Sequence, residues 1–366
     1  MTDAAAHEHV DRADCGPEGC QIDWLASERL EVDDDPVAFT KLATDAGWGD
    51  GLPLIPPTEA RVRDHVAASG RFPEECIAEL PPRNGRATVE KLAINAIMAG
   101  APPEAMPLLC AAVAAMAEPA FNLFALNTTT SSVVPGMFVN GPARHALSLP
   151  YDTGCFGGDA GPAPAIGRAI RLVMRNVAGQ RVGVSSKSVF GQPARVAGIV
   201  VAEWEERSPW APLGERRGVP GDSVTVHGCT GTVDVADIVA DDGATLLEVV
   251  GKSLAFPGTN AFIGAHHGAE IMVCLAPPWA DLIAASYPAV DDVQERLWAH
   301  AALPLAWWPE PHRRKAQDSG RVDADGLVHL VEDPNHLLVF VCGGLANLHA
   351  FALHSFGPTR AVTKGF

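Results

Sequence analysis

The sequence predicts an α/β or α+β fold with mixed sheets, flanking helices and two halves of similar size. Short apolar strands, glycine turns and helices alternate along the 366 residues, as they do in α/β and α+β domains. Apolar residues make up 47% of the chain and charged residues 19%, which is typical of a globular protein. A proline- and glycine-rich stretch follows residue 208. We therefore expect domains at 37–208 and 209–366, preceded by an acidic segment, 1–36.

The acidic residues are concentrated at the N-terminus. The chain has 27 Lys and Arg against 44 Asp and Glu, a net charge of −17, and residues 1–36 alone carry −9. An acidic surface disfavours nucleic acid and anionic lipid, and no apolar run reaches the roughly 18–20 residues that span a bilayer. We expect neither as a partner. The N-terminus lacks a basic and apolar leader, which predicts a cytoplasmic protein whose eight cysteines are reduced.

The acidic segment also contains His7, His9, Cys15 and Cys20. Glycine and proline between the two cysteines predict a turn that brings the thiols together. Two interpretations stay open. The segment is an acidic tail with incidental cysteines, or these four residues form a site for zinc, copper or iron, or a dithiol redox pair.

Four helices are predicted before residue 118, at 37–46, 59–68, 89–98 and 103–117. Thr88 is a good N-cap for the third of them, because its hydroxyl can accept an unpaired backbone N–H, and Gly100 ends it. Between the first two helices, residues 47–58 include three glycines and three prolines. That composition excludes a regular helix or central strand.

Hydroxyl side chains precede the next predicted strand, 133–139. The run 127–132 is rich in threonine and serine. Such residues often satisfy only local backbone groups, so the run is either a surface loop or the lining of a polar site. In the second interpretation Thr128 and Thr129 bind substrate.

The loop at 151–162 leads directly into a helix predicted at 164–178. Glycines before a helix N-terminus form an anion site, because unpaired N–H groups and the helix dipole favour negative charge. The dipole also lowers a nearby thiol pKa, which predicts a reactive Cys155. Gly157 and Gly158 would supply the N–H groups. The alternative is a flexible loop without a site.

The helix at 164–178 carries apolar residues on one face and arginines on the other. Arg168 is the candidate ligand for an anionic substrate, and a solvated arginine face is the alternative. The glycines of the preceding loop match neither a P-loop nor a dinucleotide-binding fingerprint. We therefore find no support for NAD, ATP or flavin.

Four further strands are predicted, at 196–202, 223–227, 271–275 and 337–341, with helices at 244–253, 277–286 and 290–301. Cys229 and Cys342 follow strands, and open sheets bind ligands at strand ends. Cys274 lies within a strand and is expected in the core.

Two histidine patterns are candidate sites. His266 and His267 lie between glycines, in a loop that would let both act in acid–base chemistry or bind one metal. His227 lies two residues before Cys229, and the two side chains would face the same side. Satisfied structural histidines are the alternative in both cases.

Several segments resemble an uncharacterised bacterial family associated with UGSC-like domains, in which selenocysteine or cysteine heads a Gly-Ser-Cys motif. The segments are GDGLPLIPPT at 49–58, AIGRAIRL at 165–172, SPWAPL at 208–213 and GPTRAVTK at 357–364. The resemblance implies thiol or redox chemistry and a UGSC-like redox partner protein. This chain has no such motif itself, so it would be the partner component.

Three functions follow from these patterns. The first is an enzyme that uses the Cys155 thiolate on a small anionic substrate, in a reduction or a lyase-type cleavage, with His266 or His267 moving protons. The second is a metal-dependent hydrolase or lyase in which His227, Cys229 and the paired histidines hold the metal. The third is a metal carrier or assembly subunit without catalysis. We also expect a homo-oligomer.

Overall fold

The computed structural model describes residues 13–16, 19–22, 25–32, 35–157, 161–262, 269–357 and 359–366. For the first two of these ranges it describes the backbone alone. Within these residues the fold is mixed α/β, with mixed sheets flanked by helices, which confirms the predicted fold class.

The strands and helices are numbered in chain order. The strands are β1 (Ala13–Gly16), β2 (Gly19–Ile22), β3 (Cys76–Leu80), β4 (Gly85–Thr88), β5 (Val134–Asn140), β6 (Ile199–Ala202), β7 (Ser223–Cys229), β8 (Val233–Ala236), β9 (Ile271–Leu275), β10 (Ala302–Pro304), β11 (Leu327–His329), β12 (Leu337–Val341), β13 (His349–His354) and β14 (Val362–Gly365). The helices are α1 (Pro36–Asp45), α2 (Glu59–Ala68), α3 (Val89–Ala99), α4 (Met106–Ala117), α5 (Leu123–Thr128), α6 (Ala143–Ala146), α7 (Ala163–Asn176), α8 (Ala194–Ala197), α9 (Leu213–Arg216), α10 (Gly243–Leu254), α11 (Pro277–Ser286), α12 (Val290–His300) and α13 (Glu310–Asp318).

Two four-stranded sheets have the same internal arrangement. The first has the order β14-β7-β5-β6 and the second β8-β13-β9-β12. In each, the last two strands are parallel and the other neighbours are antiparallel. The edge strands β8 and β14, the first in each order, are connected to strands of the other sheet. After β7 the chain forms β8 in the second sheet, and after β13 it forms β14 in the first. The first sheet therefore takes two strands from beyond residue 208.

The sheets pack face to face between two layers of helices. In β5, Phe138 contacts the other sheet, whereas Met137 and Val139 pack on the helical side with α3, α4 and α7. The same alternation in β12 directs Phe340 between the sheets, because successive strand residues point to opposite faces. The Phe138 and Phe340 rings meet edge to face, with centroids 5.2 Å apart. We call the apolar layer between the sheets the inter-sheet core.

The eight predicted helices are all present, whereas α5, α6, α8, α9 and α13 were not predicted. The Thr88 hydroxyl accepts a hydrogen bond from the Lys91 N–H at 3.3 Å, and Gly100 ends α3 in the left-handed region at φ 84°. The strand predicted at 196–202 is wrong in its first residues. Its start belongs to the short helix α8, and Gly198 at φ 68° separates that helix from β6.

No single helix in the described ranges is long and apolar enough to cross a membrane. The pair Pro103–Ala117 and Pro119–Thr128 reaches the length and composition together, with a 74° bend between them. Most residues of α4, the main helix of this pair, are buried in the core of the first half.

Candidate active site

A cleft of about 670 Å³ opens at the carboxyl ends of β9 and β12. These strands are parallel neighbours, so their carboxyl ends meet at one edge, where open sheets commonly bind ligands. The side chains that line the cleft are three thiols, one imidazole, one carboxylate, two phenyl rings and small residues. They include Cys155, Cys274, Cys342, His349, Asp234, Phe156 and Phe351.

The three thiols come from three separate parts of the chain. Cys274 lies in β9, and Cys342 follows β12 directly. The Cys342 N–H donates to the Leu275 carbonyl at 3.0 Å, and this bond places Cys342 beside Cys274. Cys155 comes from the loop after Pro150. All three are at least 95% buried at the base of the cleft.

The loop that carries Cys155 is held against the glycines after β12. The Gly343 N–H donates to the Tyr151 carbonyl at 2.8 Å. A Cβ at Gly344 would lie 2.8 Å from Thr153 Oγ1, so the close approach of the two loops requires glycine there. These contacts bring Cys155 to Cys342 across the boundary between the two halves.

The thiols are protonated at neutral pH. The hydrogen bond between Cys155 and Cys342, together with burial, raises the pKa of Cys155 far above its usual range. The pKa of Cys342 is raised as well, because the hydrogen bond with Cys274 and burial outweigh the favourable contact with Cys155. Burial raises the pKa of Cys274. The expected effect of a helix dipole on Cys155 is not found, since α7 begins only at Ala163, and the neighbouring Cys342 thiol and burial both raise the pKa.

A buried carboxylate lies behind the thiols. Glu203 is fully buried, accepts hydrogen bonds from Asn140 Nδ2 at 2.6 Å and from the Leu213 N–H at 2.8 Å, and has one oxygen without a partner. Burial raises its pKa, and its charge adds to the raised pKa of Cys274 and Cys342. The inner wall of the site therefore disfavours thiolate.

An imidazole–carboxylate pair lies at the mouth of the cleft. His349 Nδ1 is 3.2 Å from Asp234 Oδ1, and both side chains are about half exposed. The antiparallel register pairs His349 with Ala236 and Phe351 with Asp234, so the two polar side chains are diagonal neighbours on one face. Neither residue was predicted as a site residue from the sequence. His349, Phe351 and Leu353 alternate with alanines in the sequence, and this period of two could have predicted the strand.

The remaining lining is apolar and small. Phe156 and Phe351 contact each other with ring centroids 5.3 Å apart, and glycines and alanines form much of the rest. Of the predicted site residues, Cys155 and Gly157 line this cleft. Its volume suits a small organic molecule.

Cys229 is not in the cleft. Its side chain is fully buried in the inter-sheet core, where the thiol donates to the Val134 carbonyl at 3.3 Å. Burial raises its pKa to about 12. The residue ends β7 as predicted, but that end lies between the two sheets, so the prediction of a catalytic or metal-binding thiol there is wrong.

His227 is a structural histidine. It lies within β7 and is fully buried, with Nε2 3.2 Å from the Glu270 carbonyl oxygen. Burial lowers its pKa to about 4. The predicted metal site with Cys229 is therefore not formed, because the two side chains make separate contacts with backbone carbonyls.

His227 makes the stability of the protein depend on pH. The unfolded chain, with an imidazole pKa of about 6.5, binds a proton that the folded protein binds only below about 4. Stability is thus lost as the pH falls through this range. We expect His227→Gln to remove about 2 kcal/mol of the loss between about pH 7.5 and about pH 5, measured by urea unfolding at each pH. An unchanged pH dependence would contradict this assignment.

Arg168 is occupied in the fold. It is 9% exposed, and its Nε and Nη2 donate to the two oxygens of Asp50, both at 2.7 Å. Its remaining donors bond the carbonyls of Pro53 and Leu52. Although burial raises the pKa of Asp50, these contacts hold it below its usual value. The predicted role of Arg168 in binding an anionic substrate is therefore wrong.

The two predicted threonines have local partners. The Thr128 hydroxyl donates to the Phe124 carbonyl at 2.8 Å, and the Thr129 hydroxyl accepts from the Ser131 N–H at 3.0 Å. Neither lines the thiol cleft. The bonds are those expected of the surface-loop interpretation.

Other predicted site residues lie outside the described residues: His7, His9, Gly158, His266 and His267. The Cys15 and Cys20 side chains do so as well, although the backbone places these residues opposite each other in the β1–β2 hairpin. In the ranges given above, no group of three or more His, Cys, Asp or Glu side chains is arranged to hold a metal ion.

No protein-family model matches this chain, and no curated protein sequence matches it.

Proposed function

We propose that the protein is a thiol–disulfide oxidoreductase that acts on a small organic substrate in the three-thiol cleft. The observation that supports it is the placement of Cys155 and Cys342 in one open cleft, where each thiol shifts the pKa of the other. Two reduced thiols in one cleft are what a dithiol reductant requires, because the two sulfurs join in a disulfide during the reaction.

The reaction is a two-step exchange. Cys155 attacks one sulfur of a substrate disulfide, forms a mixed disulfide and releases the first substrate thiol. Cys342 then attacks the Cys155 sulfur, closes the protein disulfide and releases the second. The two protein thiols supply two electrons and two protons, and both protons leave on the substrate thiols. A dithiol reductant restores the site; the UGSC-like partner implied by the resemblance belongs to this class.

The order of attack follows from position. Cys155 belongs to a turn whose neighbours Gly154 and Gly157 are exposed, so an incoming molecule reaches it first. Cys342 lies deeper and also contacts Cys274. We therefore assign attack to Cys155 and resolution to Cys342.

The test is a single turnover of the fully reduced protein with bis(2-hydroxyethyl) disulfide, followed by mass spectrometry of the protein. We expect the parent protein to end with a Cys155–Cys342 disulfide. Cys342→Ser should stop at a mixed disulfide on Cys155, and Cys155→Ser should form neither product. Cys110→Ser is the matched control, because Cys110 is a buried thiol of α4 outside the cleft.

Two results would contradict the proposal. Absence of a Cys155–Cys342 disulfide in the parent protein would exclude dithiol exchange. Full release of both substrate thiols by Cys342→Ser would show that another thiol of the cleft, Cys274, resolves the mixed disulfide, which contradicts the role assigned to Cys342.

A further inference from the structure

We propose that His349, oriented by Asp234, is the general base of the thiol cleft, an inference that rests on the proposed function. The cleft presents a chemical problem. The thiolate is the nucleophile in disulfide exchange, yet all three thiols here are buried, and each has a raised pKa. A nearby group has to accept a proton before Cys155 can attack.

Few side chains can accept that proton. Besides the three thiols, the only titratable residues that line the cleft within the described ranges are Asp234 and His349. Glu203 faces the thiols from behind and is enclosed, without contact with solvent. A proton passed to His349 can leave to water, because this side chain is about half exposed.

The geometry sets the tautomer of His349. Nδ1 lies 3.2 Å from Asp234 Oδ1, and a carboxylate at that distance accepts the Nδ1–H bond. Nε2 then has a free lone pair, as in sites where a carboxylate holds a histidine base in the correct tautomer. Asp234 is thus a positioning residue, and His349 takes the proton.

The charged and titratable groups around the proposed base belong to four elements. Asp234 faces it from β8, and the thiols of Cys155, Cys274 and Cys342 face the same cleft from the loop after Pro150, from β9 and from the turn after β12. No lysine or arginine is among the described residues that line the cleft. No fixed positive charge in this lining would therefore favour a thiolate, and the imidazole is left to accept the proton.

The test measures the second-order rate of thiol release from bis(2-hydroxyethyl) disulfide as a function of pH. At about pH 7 we expect His349→Gln to slow the reaction about 100-fold and Asp234→Asn to slow it about tenfold. The deficit should shrink as the pH rises, because hydroxide then replaces the missing imidazole as the base that removes the thiol proton. Added imidazole should restore part of the rate in His349→Ala.

His145→Gln is the matched control. His145 forms a similar imidazole–carboxylate pair with Glu206 at 3.0 Å and is equally exposed, and it does not line the thiol cleft. It should react at the parental rate.

Two results would overturn the inference. One is a His349→Gln rate within about twofold of the parent protein, well short of the usual contribution of a general base. The other is a loss that is equal at every pH and is not restored by imidazole, as expected for a purely structural histidine. In either case, trapping of the mixed disulfide by Cys342→Ser still reports on the proposed function separately, because that product accumulates at equilibrium even when attack is slow.

Discussion

Gly167→Ala is expected to lower the free energy of unfolding by about 3 kcal/mol or more. Gly167 lies within α7, where the helix crosses the chain before β6, and a Cβ there would overlap the Ala197 carbonyl oxygen and approach the Gly198 Cα to 3.1 Å. Backbone atoms cannot move aside as a flexible side chain can. The helix would have to shift away from β6, and its buried face would lose contact with the core.

The measurement is urea unfolding of the purified variant, with Gly258→Ala as the control. A Cβ at Gly258 would have no atom within 4 Å, and the backbone there is not left-handed, so alanine should change stability by less than about 1 kcal/mol. Similar unfolding midpoints for the two variants would show that α7 can move without cost, contrary to the packing described here.

Arg168→Met is expected to cost about 3–5 kcal/mol of stability. The substitution keeps an unbranched side chain and removes all the donors that hold Asp50 and the carbonyls of Pro53 and Leu52. Asp50 would then remain as a mostly buried carboxylate, 16% exposed, without its cation. Most of the cost comes from this uncompensated charge and the unpaired carbonyls.

The control for this prediction is Arg207→Met. Arg207 pairs with Asp281 at 3.5 Å, and both side chains are about half exposed, so its loss should cost less than about 1 kcal/mol. The double variant Arg168→Met with Asp50→Leu should recover part of the stability lost by Arg168→Met alone. If the double variant is no more stable than the single one, the buried charge is not the cause.

The Arg168–Asp50 ion pair connects two of the sequence motifs. The segment GDGLPLIPPT supplies Asp50 and two carbonyl oxygens, and the segment AIGRAIRL supplies Arg168 and Gly167. Both motifs therefore hold α7 in place. The helical period correctly predicted the opposed faces of α7, but a face of arginines has the same pattern whether water or a neighbouring segment covers it.

The helices were predictable because their signals are local. An N-cap hydroxyl such as Thr88 and a left-handed glycine such as Gly100 act within a few residues. The exchange of β8 and β14 between the sheets was not predictable, because the pairing of a short strand depends on which sheet edge the rest of the chain leaves open.

The cysteines of the cleft were likewise predictable one by one but not as a group. The sequence alone predicts that Cys342 follows a strand, that Cys155 lies in a loop and that Cys274 lies within a strand. That these three meet, while Cys229 at another strand end is enclosed between the sheets, depends on contacts between residues far apart in the chain. His349 and Asp234 were missed for the same reason, since only the pairing of β13 with β8 makes them neighbours.

The sequence by itself determined the mixed α/β class, the boundaries of eight helices and the positions of several cysteines relative to the strands, because periodicity, caps and turn residues act over short distances. Only the tertiary structure decided which thiols share a cleft, which are core, and that Arg168 is a structural cation. Those outcomes depend on burial and on partners distant in the chain, which together raise the pKa of the thiols and lower that of His227, while His349 stays exposed in the cleft.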